Sequence, residues 1–200
     1  MKTYLALGDS YTIGEQVLLT ESFPYQTGKL LRNKNIEIIA PEIIAKTGWT
    51  TDELNAAIQA HTFLKEYDIV SLLIGVNNQY RGKAVDEYEI EFENLLKQAI
   101  LFAGNKSTNV FVLSIPDWGV TPFAIEKDRV KITNEIDRYN AACKKITLQY
   151  NCTFIDITIA QRVDADNAEM LASDGLHPSG KEYGKWAIQL ADAINEIHFV

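Results

Sequence analysis

The chain has 200 residues, 46% hydrophobic and 23% charged, which suits one domain over residues 1–200 with a sizeable core. Its formal net charge of −8 argues against nucleic acid as a partner, since phosphate binding needs a basic face. No run approaches the ~20 apolar residues that span a bilayer, and the opening MKTYLALGDS lacks the apolar stretch of a secretory leader.

The expectation is therefore a cytoplasmic chain, although a secreted one whose leader had been removed would read the same. Cys143 and Cys152 are the only cysteines, too few for a disulfide framework or a metal-ligand cluster, so both are expected as reduced core thiols.

In chain order, TYLALG (3–8) predicts a first strand, and GDSYTIG follows it with Ser10. The segment to residue 24 carries Val17, Leu18 and Leu19 together, either an apolar acyl site or a short buried turn of helix. IEIIA (36–40) predicts the second strand, followed by AKTGWTTDEL (45–54). There Thr50 and Glu53 form a capping box opening a helix with Leu54, Ile58 and His61 on one stripe. DIVSLLIG (68–75) predicts the third strand, with GVNNQYRG (75–82) after it. A helix with Tyr88, Phe92, Leu95, Ala99 and Phe102 on one face leads to the fourth strand, NVFVLSI (109–115), and the loop PDWGVTPF (116–123). Ile132, Ile136, Tyr139, Cys143, Ile146 and Tyr150 mark a further helix before the fifth strand, CTFIDI (152–157). Beyond it lie ASDGLHPSG (172–180) and a last helix with Trp186, Leu190, Ile194 and Ile197.

Five near-continuous apolar strands alternating with helices predict an α/β chain: a doubly wound, five-stranded parallel sheet in a three-layer α/β/α sandwich. Ligands of such sheets bind beyond the carboxyl ends of the strands. Every polar loop named above follows a strand.

Asp174 and His177 stand three apart on a Gly- and Pro-rich loop. A carboxylate accepting from one imidazole nitrogen leaves the other free as a base, although the same spacing also makes a plain Asx-capped turn. Of the three histidines, His61 falls on a helical apolar stripe and His198 near the C-terminus is expected to be solvated. Gly48, just before a helix cap, offers an unobstructed N–H, and Asn77 offers a side-chain amide. Acyl transfer needs such donors at the oxygen that becomes negative. Taken alone, Gly48 is better explained by a positive-φ turn and Asn77 by a turn cap.

In this order, Ser10, Gly48, Asn77 and the Asp174/His177 pair resemble the SGNH (GDSL) hydrolase family. GDSYTIG matches its first block, the Gly48 region its second, GVNN its third and DGLH its fifth. The third block usually ends in Asp, where this chain has Asn78. The resemblance implies a flavodoxin-like fold and an ester hydrolase needing no metal or other cofactor. It implies Ser10 as nucleophile, His177 as base and then acid, and Asp174 as the residue orienting His177. The N–H groups of Ser10 and Gly48 and the Asn77 amide would form the oxyanion hole. An imidazole with an unperturbed pKa of ~6.5 suits that work at neutral pH, and a helix dipole at Ser10 would assist it.

Trp49, Asn78, Tyr80, Arg81 and Trp118 are candidates for contacting a small-molecule ester; each fits packing against a helix end equally well. Short-chain acyl esters, acetylated carbohydrates and lysophospholipids all suit such residues. Two rivals remain: a non-catalytic flavodoxin-like module holding a phosphate or flavin, and an acyltransferase using the same triad.

Overall fold

Strands covered on both faces read as unbroken apolar runs, and the three central strands do so with every residue buried: β1 (Tyr4–Gly8), β3 (Ile69–Leu73) and β4 (Val110–Leu113). The half-buried β2 (Glu42–Ala45) and β5 (Thr153–Ile155) form the two edges. This computed structural model describes residues 1–198, with side chains through Ile197, so the solvated placement expected of the His198 side chain lies outside the described residues. Among them the sheet is parallel throughout, in the order β2-β1-β3-β4-β5. The strand order reverses between β1 and β3, and a crevice opens at such a switch point beyond the strand ends.

Between and after the strands run α1 (Ser10–Ile13), α2 (Phe23–Asn33), α3 (Thr51–Ala60), α4 (Val76–Tyr80), α5 (Val85–Phe102), α6 (Arg129–Gln149), α7 (Thr158–Val163) and α8 (Gly180–His198). Helix α2 packs on α8, and α5 packs on both α3 and α6. These two groups cover opposite faces of the sheet, as right-handed crossovers require. The apolar stripe expected on α8 is buried through Trp186, Leu190 and Ile194, with Tyr183 beside them. Each such side chain contributes roughly 2–3 kcal/mol by leaving water, before entropy is counted. Cys143 and Cys152 are free and buried, as expected.

The second strand is not where the apolar run predicts it. The chain reads EIIA twice, at 37–40 and 42–45, with Pro41 between. The first copy makes only an isolated bridge from Ile38 to Lys2; the second pairs in register with β1, Leu5 to Glu42 through Gly8 to Ala45. Pro41 has no N–H to give a ladder and ends the first copy. The shift matters for the site, because it leaves only two residues between β2 and Gly48.

Two further expectations are corrected. Helix α3 keeps Leu54 and Ile58 buried but ends at Ala60, with His61 extended beyond it. The His61 ring leaves the apolar stripe for the Glu42 carboxylate at 2.9 Å and the edge of Phe63. The Val17–Leu19 segment is no buried turn of helix: Leu18 is 71% exposed and Leu19 51%, and of the three only Val17 packs on the core.

Candidate active site

The first strand ends in a turn with no room for a side chain. A Cβ on Gly8 would stand 2.1 Å from Thr12 Oγ1 and 2.4 Å from the Leu73 carbonyl oxygen. Glycine therefore lets the chain leave β1 close against β3 and turn at once into α1. Asp9 caps that turn, its Oδ1 accepting the Tyr11 N–H at 3.0 Å. Ser10 follows as the first helical residue. Because α1 is one turn of four residues, the helix dipole expected at Ser10 amounts to little.

The 172–179 loop brings Asp174 and His177 to Ser10. Ala172 N–H donates to the His177 carbonyl at 2.8 Å and Ser179 N–H to that of Met170 at 2.9 Å, which closes the loop on itself. Asp174 divides its two oxygens between structure and chemistry. Oδ1 accepts the N–H groups of Leu176 and His177, both at 2.9 Å, and so makes the Asx turn. Oδ2 lies 2.5 Å from His177 Nδ1. On the far side of the ring, Nε2 lies 3.0 Å from Ser10 Oγ. The buried Tyr11 ring leans on the imidazole, its centroid at 5.2 Å. An ionised carboxylate only accepts hydrogen bonds, so it fixes Nδ1 as the N–H and leaves Nε2 to accept from the serine hydroxyl.

The electrostatics of the two carboxylates differ. Partial burial pushes the Asp174 carboxyl up, but hydrogen bonds from the His177 ring and from the Leu176 and His177 N–H groups outweigh it and hold it below its usual range. Asp9 is fully buried, and desolvation pushes its carboxyl up to about 7 against the opposing pull of the Tyr11 N–H. Among the described residues no salt bridge reaches Asp9.

Across from Ser10 lie the expected donors. Gly48 sits at φ +83, in the left-handed region that favours glycine. Arg81 donates to its carbonyl at 2.6 Å and pairs with Glu53 at 3.2 Å. Glu53 in turn accepts the Thr50 N–H at 2.9 Å, so the predicted capping box anchors the loop that carries Gly48. Asn77 lies in the first turn of α4, its amide donating to the Trp49 carbonyl at 3.0 Å and reaching Asp9 Oδ2 at 3.5 Å, the outer limit of a hydrogen bond. Among the described residues, no protein acceptor pairs with the N–H of Ser10 or of Gly48.

These groups share one cavity of about 220 Å³, with Ser10, Gly48, Asn77 and His177 at its polar end. Val76, Tyr80, Trp118, Phe123 and Leu176 make its apolar wall. Of the residues proposed for substrate contact, Tyr80 and Trp118 line it, and three do not. Asn78 is completely buried, its Oδ1 accepting the Thr51 N–H at 3.1 Å and its amide donating to Thr51 Oγ1 at 2.6 Å. It ties α4 to α3 instead. The Trp49 ring packs on the core, and Arg81 braces the Gly48 loop. Sequence reasoning missed Asp9, Tyr11, Val76, Phe123 and Leu176. All five lie within the strand-end loops already singled out, but nothing in their residue type marks them.

The GDSL-like lipase/acylhydrolase family profile matches residues 6–185. No curated protein matches the chain in sequence. Solved structures share its fold at low identity. A lipase/acylhydrolase from Enterococcus faecalis superposes with a TM-score of 0.78 at 19% identity, over 98% of this chain and 96% of that one. An acetylxylan esterase from Geobacillus stearothermophilus gives 0.74 at 22% identity, over 100% and 95%. A psychrotrophic esterase from Pseudoalteromonas gives 0.70 at 17%, over 98% of each.

Proposed function

This chain belongs to the GDSL-like lipase/acylhydrolase family, and from that premise we propose that it hydrolyses carboxylic esters through an acyl-enzyme on Ser10. The observation that carries the reading is the continuous line Asp174 Oδ2–His177 Nδ1 (2.5 Å) and His177 Nε2–Ser10 Oγ (3.0 Å), ending in a cavity.

In this mechanism His177 Nε2 takes the Ser10 hydroxyl proton as Oγ attacks the ester carbonyl carbon. The carbonyl π pair moves onto oxygen, which faces the N–H groups of Ser10 and Gly48 and the Asn77 amide hydrogen that gives up its long 3.5 Å contact to Asp9. The two unpaired N–H groups support this role, because donors not already engaged cost no reorganisation when charge develops. The ionised Asp174 stabilises the imidazolium that forms. The tetrahedral intermediate collapses, the C–O bond to the alcohol breaks, and His177 returns the proton to the departing oxygen. Water, deprotonated by the same nitrogen, then attacks the acyl-serine and releases the acid and free Ser10. One difficult step is thereby split into two easier ones.

The apolar wall favours an acyl ester over a phosphate, which gains nothing from Val76, Phe123 and Leu176, and neither a phosphate nor a flavin has use for the Asp174–His177 pair aimed at Ser10. The test is turnover of p-nitrophenyl acyl esters by wild type and Ser10→Ala, with products identified by mass spectrometry in the presence and absence of an alcohol or sugar acceptor. Free acid as the main product, lost in Ser10→Ala, is the expected result. Ester product dominating with acceptor present would make the protein an acyltransferase, and equal turnover in Ser10→Ala would end the reading.

A further inference from the structure

One wall of the cavity, Trp118, is held more firmly than its other apolar sides. Trp118 is almost entirely buried, and its indole N–H donates to Gln79 Oε1 at 2.7 Å. Gln79, itself buried, donates through its amide to Glu135 Oε2 on α6 at 2.8 Å. Indole nitrogen, amide and carboxylate form a chain that fixes the ring from behind. The backbone under the ring is held as well. The wholly buried Asp117 accepts the Gly119 N–H at 2.8 Å and pairs with Arg162 at 2.9 Å. By contrast Tyr80, edge-on to Trp118 at 5.3 Å, is 53% exposed, and Phe123 is 43% exposed.

The two apolar sides of the cavity also differ in their relation to the chemistry. Leu176 adjoins His177 in sequence, and Phe123 hangs on that loop through its N–H to the Gly175 carbonyl at 3.1 Å. The departing alcohol receives its proton from His177 Nε2, so its substituent lies on that side. Val76 and Tyr80 belong to α4 beside Asn77. Tyr80 meets Trp118 edge-on at 5.3 Å and Phe123 meets the same ring at 6.0 Å, so the indole borders both sides and an acyl chain laid along α4 ends against it.

From this arrangement we propose that Trp118, locked by Gln79, is the end wall that sets acyl-chain length, so the substrate class is esters of apolar acids of intermediate length. The inference rests on the hydrolase reading above and adds a dimension to it. An apolar cavity of about 150 Å³ takes a benzene ring. The 220 Å³ here takes the ester carbon and a tail of about three to seven carbons on the same scale. Trp118 touches the acyl chain, whereas Gln79 acts only through it and is a positioning residue.

The experiment is the kcat/KM profile of p-nitrophenyl esters from acetate to dodecanoate, for wild type, Trp118→Ala, Trp118→Phe and Gln79→Leu. The constant leaving group isolates the acyl side. Wild type should peak between butanoate and octanoate, then lose about tenfold for each methylene the wall rejects, the low end of what hydrophobic pockets achieve. Trp118→Ala opens a space of ring size, so its optimum should move to longer chains and its decanoate-to-butanoate ratio should rise more than tenfold. Gln79→Leu keeps the ring but frees it, so that ratio should rise about threefold while the optimum stays; a Gln79 with a merely structural role would lower melting temperature and leave the ratio alone. Should Trp118→Ala not fold, Trp118→Phe carries the test with a smaller shift in the same direction. An active enzyme whose ratio is unmoved in the folded variants overturns the end-wall assignment alone. Absence of turnover on every ester, with Ser10 unreactive toward a fluorophosphonate, overturns the hydrolase reading and this inference with it.

Discussion

Asp9 and Asp174 stand on opposite sides of the Ser10–His177 pair. Asp9 lies at the end of β1 with none of its surface exposed; Asp174 lies on the 172–179 loop with 27% of its side chain exposed. Asp9 adjoins the serine in sequence, yet its carboxylate points to Tyr11 N–H and to the Asn77 amide. Asp174 is 164 residues away from Ser10 and reaches it through one imidazole. The His177 ring and two N–H donors keep Asp174 charged against its partial burial, whereas full burial raises the Asp9 carboxyl to about 7 against the pull of one close N–H. Two identical side chains take different work from their surroundings, as paired carboxylates in enzymes generally do. Nearness in sequence to Ser10 is no guide to which carboxylate meets the imidazole.

That contrast can be broken most sharply at Asp174. Asp174→Asn keeps the turn but lets the imidazole take the wrong tautomer, a change that costs about 10⁴ in turnover in other serine hydrolases. Steady-state kinetics with a melting curve checks it, and a folded Asp174→Asn with near wild-type turnover would remove Asp174 from the mechanism. The low carboxyl pKa of Asp174 also means that its contribution to stability is present above the unfolded value and is lost as pH falls through the folded one.

Asp9 should behave in the opposite sense. Its carboxyl rises from 3.8 to about 7 on folding, so between those values the folded state holds more protons than the unfolded one. Stability from this group therefore falls as pH rises from 4 to 7 and levels off above. A shift of about three units corresponds to on the order of 4 kcal/mol. Asp9→Asn removes the ionisation while keeping an acceptor for Tyr11 N–H. Urea melts at pH 4.5, 6 and 8 should show the variant gaining on wild type by a few kcal/mol as pH rises; a constant difference would mean that Asp9 ionises freely.

The neighbouring asparagines sharpen the comparison on the side that Asp9 faces. Asn77→Ala removes a donor used in the transition state and should cost about 10²–10³ in turnover with little change in KM. Asn78→Ala leaves the Thr51 N–H buried without its partner, so it should cost roughly 1–3 kcal/mol of stability and little turnover. Kinetics and melting temperature on both variants decide the matter, and a reversed pattern would exchange their roles.

Much of this was legible in the sequence because it is local. Apolar runs announced β1, β3 and β4, and the Thr50–Glu53 capping box read correctly to the residue. The loops that follow the strands were legible as a class, since a parallel sheet collects them at one edge. What escaped depends on tertiary arrangement. Pro41 separates two identical EIIA strings, and only pairing with β1 decides which becomes the strand. Asn78 looks like its neighbour Asn77 in sequence, but the step of about 100° between adjacent helical residues points them to different surroundings, a buried tie and an open cavity. Gln79 carries no motif; its place behind Trp118 is set by the approach of α6.

The most direct measurement is rapid-quench mass spectrometry of the intact protein during turnover of p-nitrophenyl butanoate, followed by peptide mapping. The account predicts a transient species heavier by one butanoyl group, located on Ser10, that forms within the burst of nitrophenol and decays at the steady-state rate. In Asp174→Asn it should form far more slowly and at the same residue. Acylation at any other residue, or full turnover with no acylated protein at any time point even in a deacylation-slowing solvent, would contradict it.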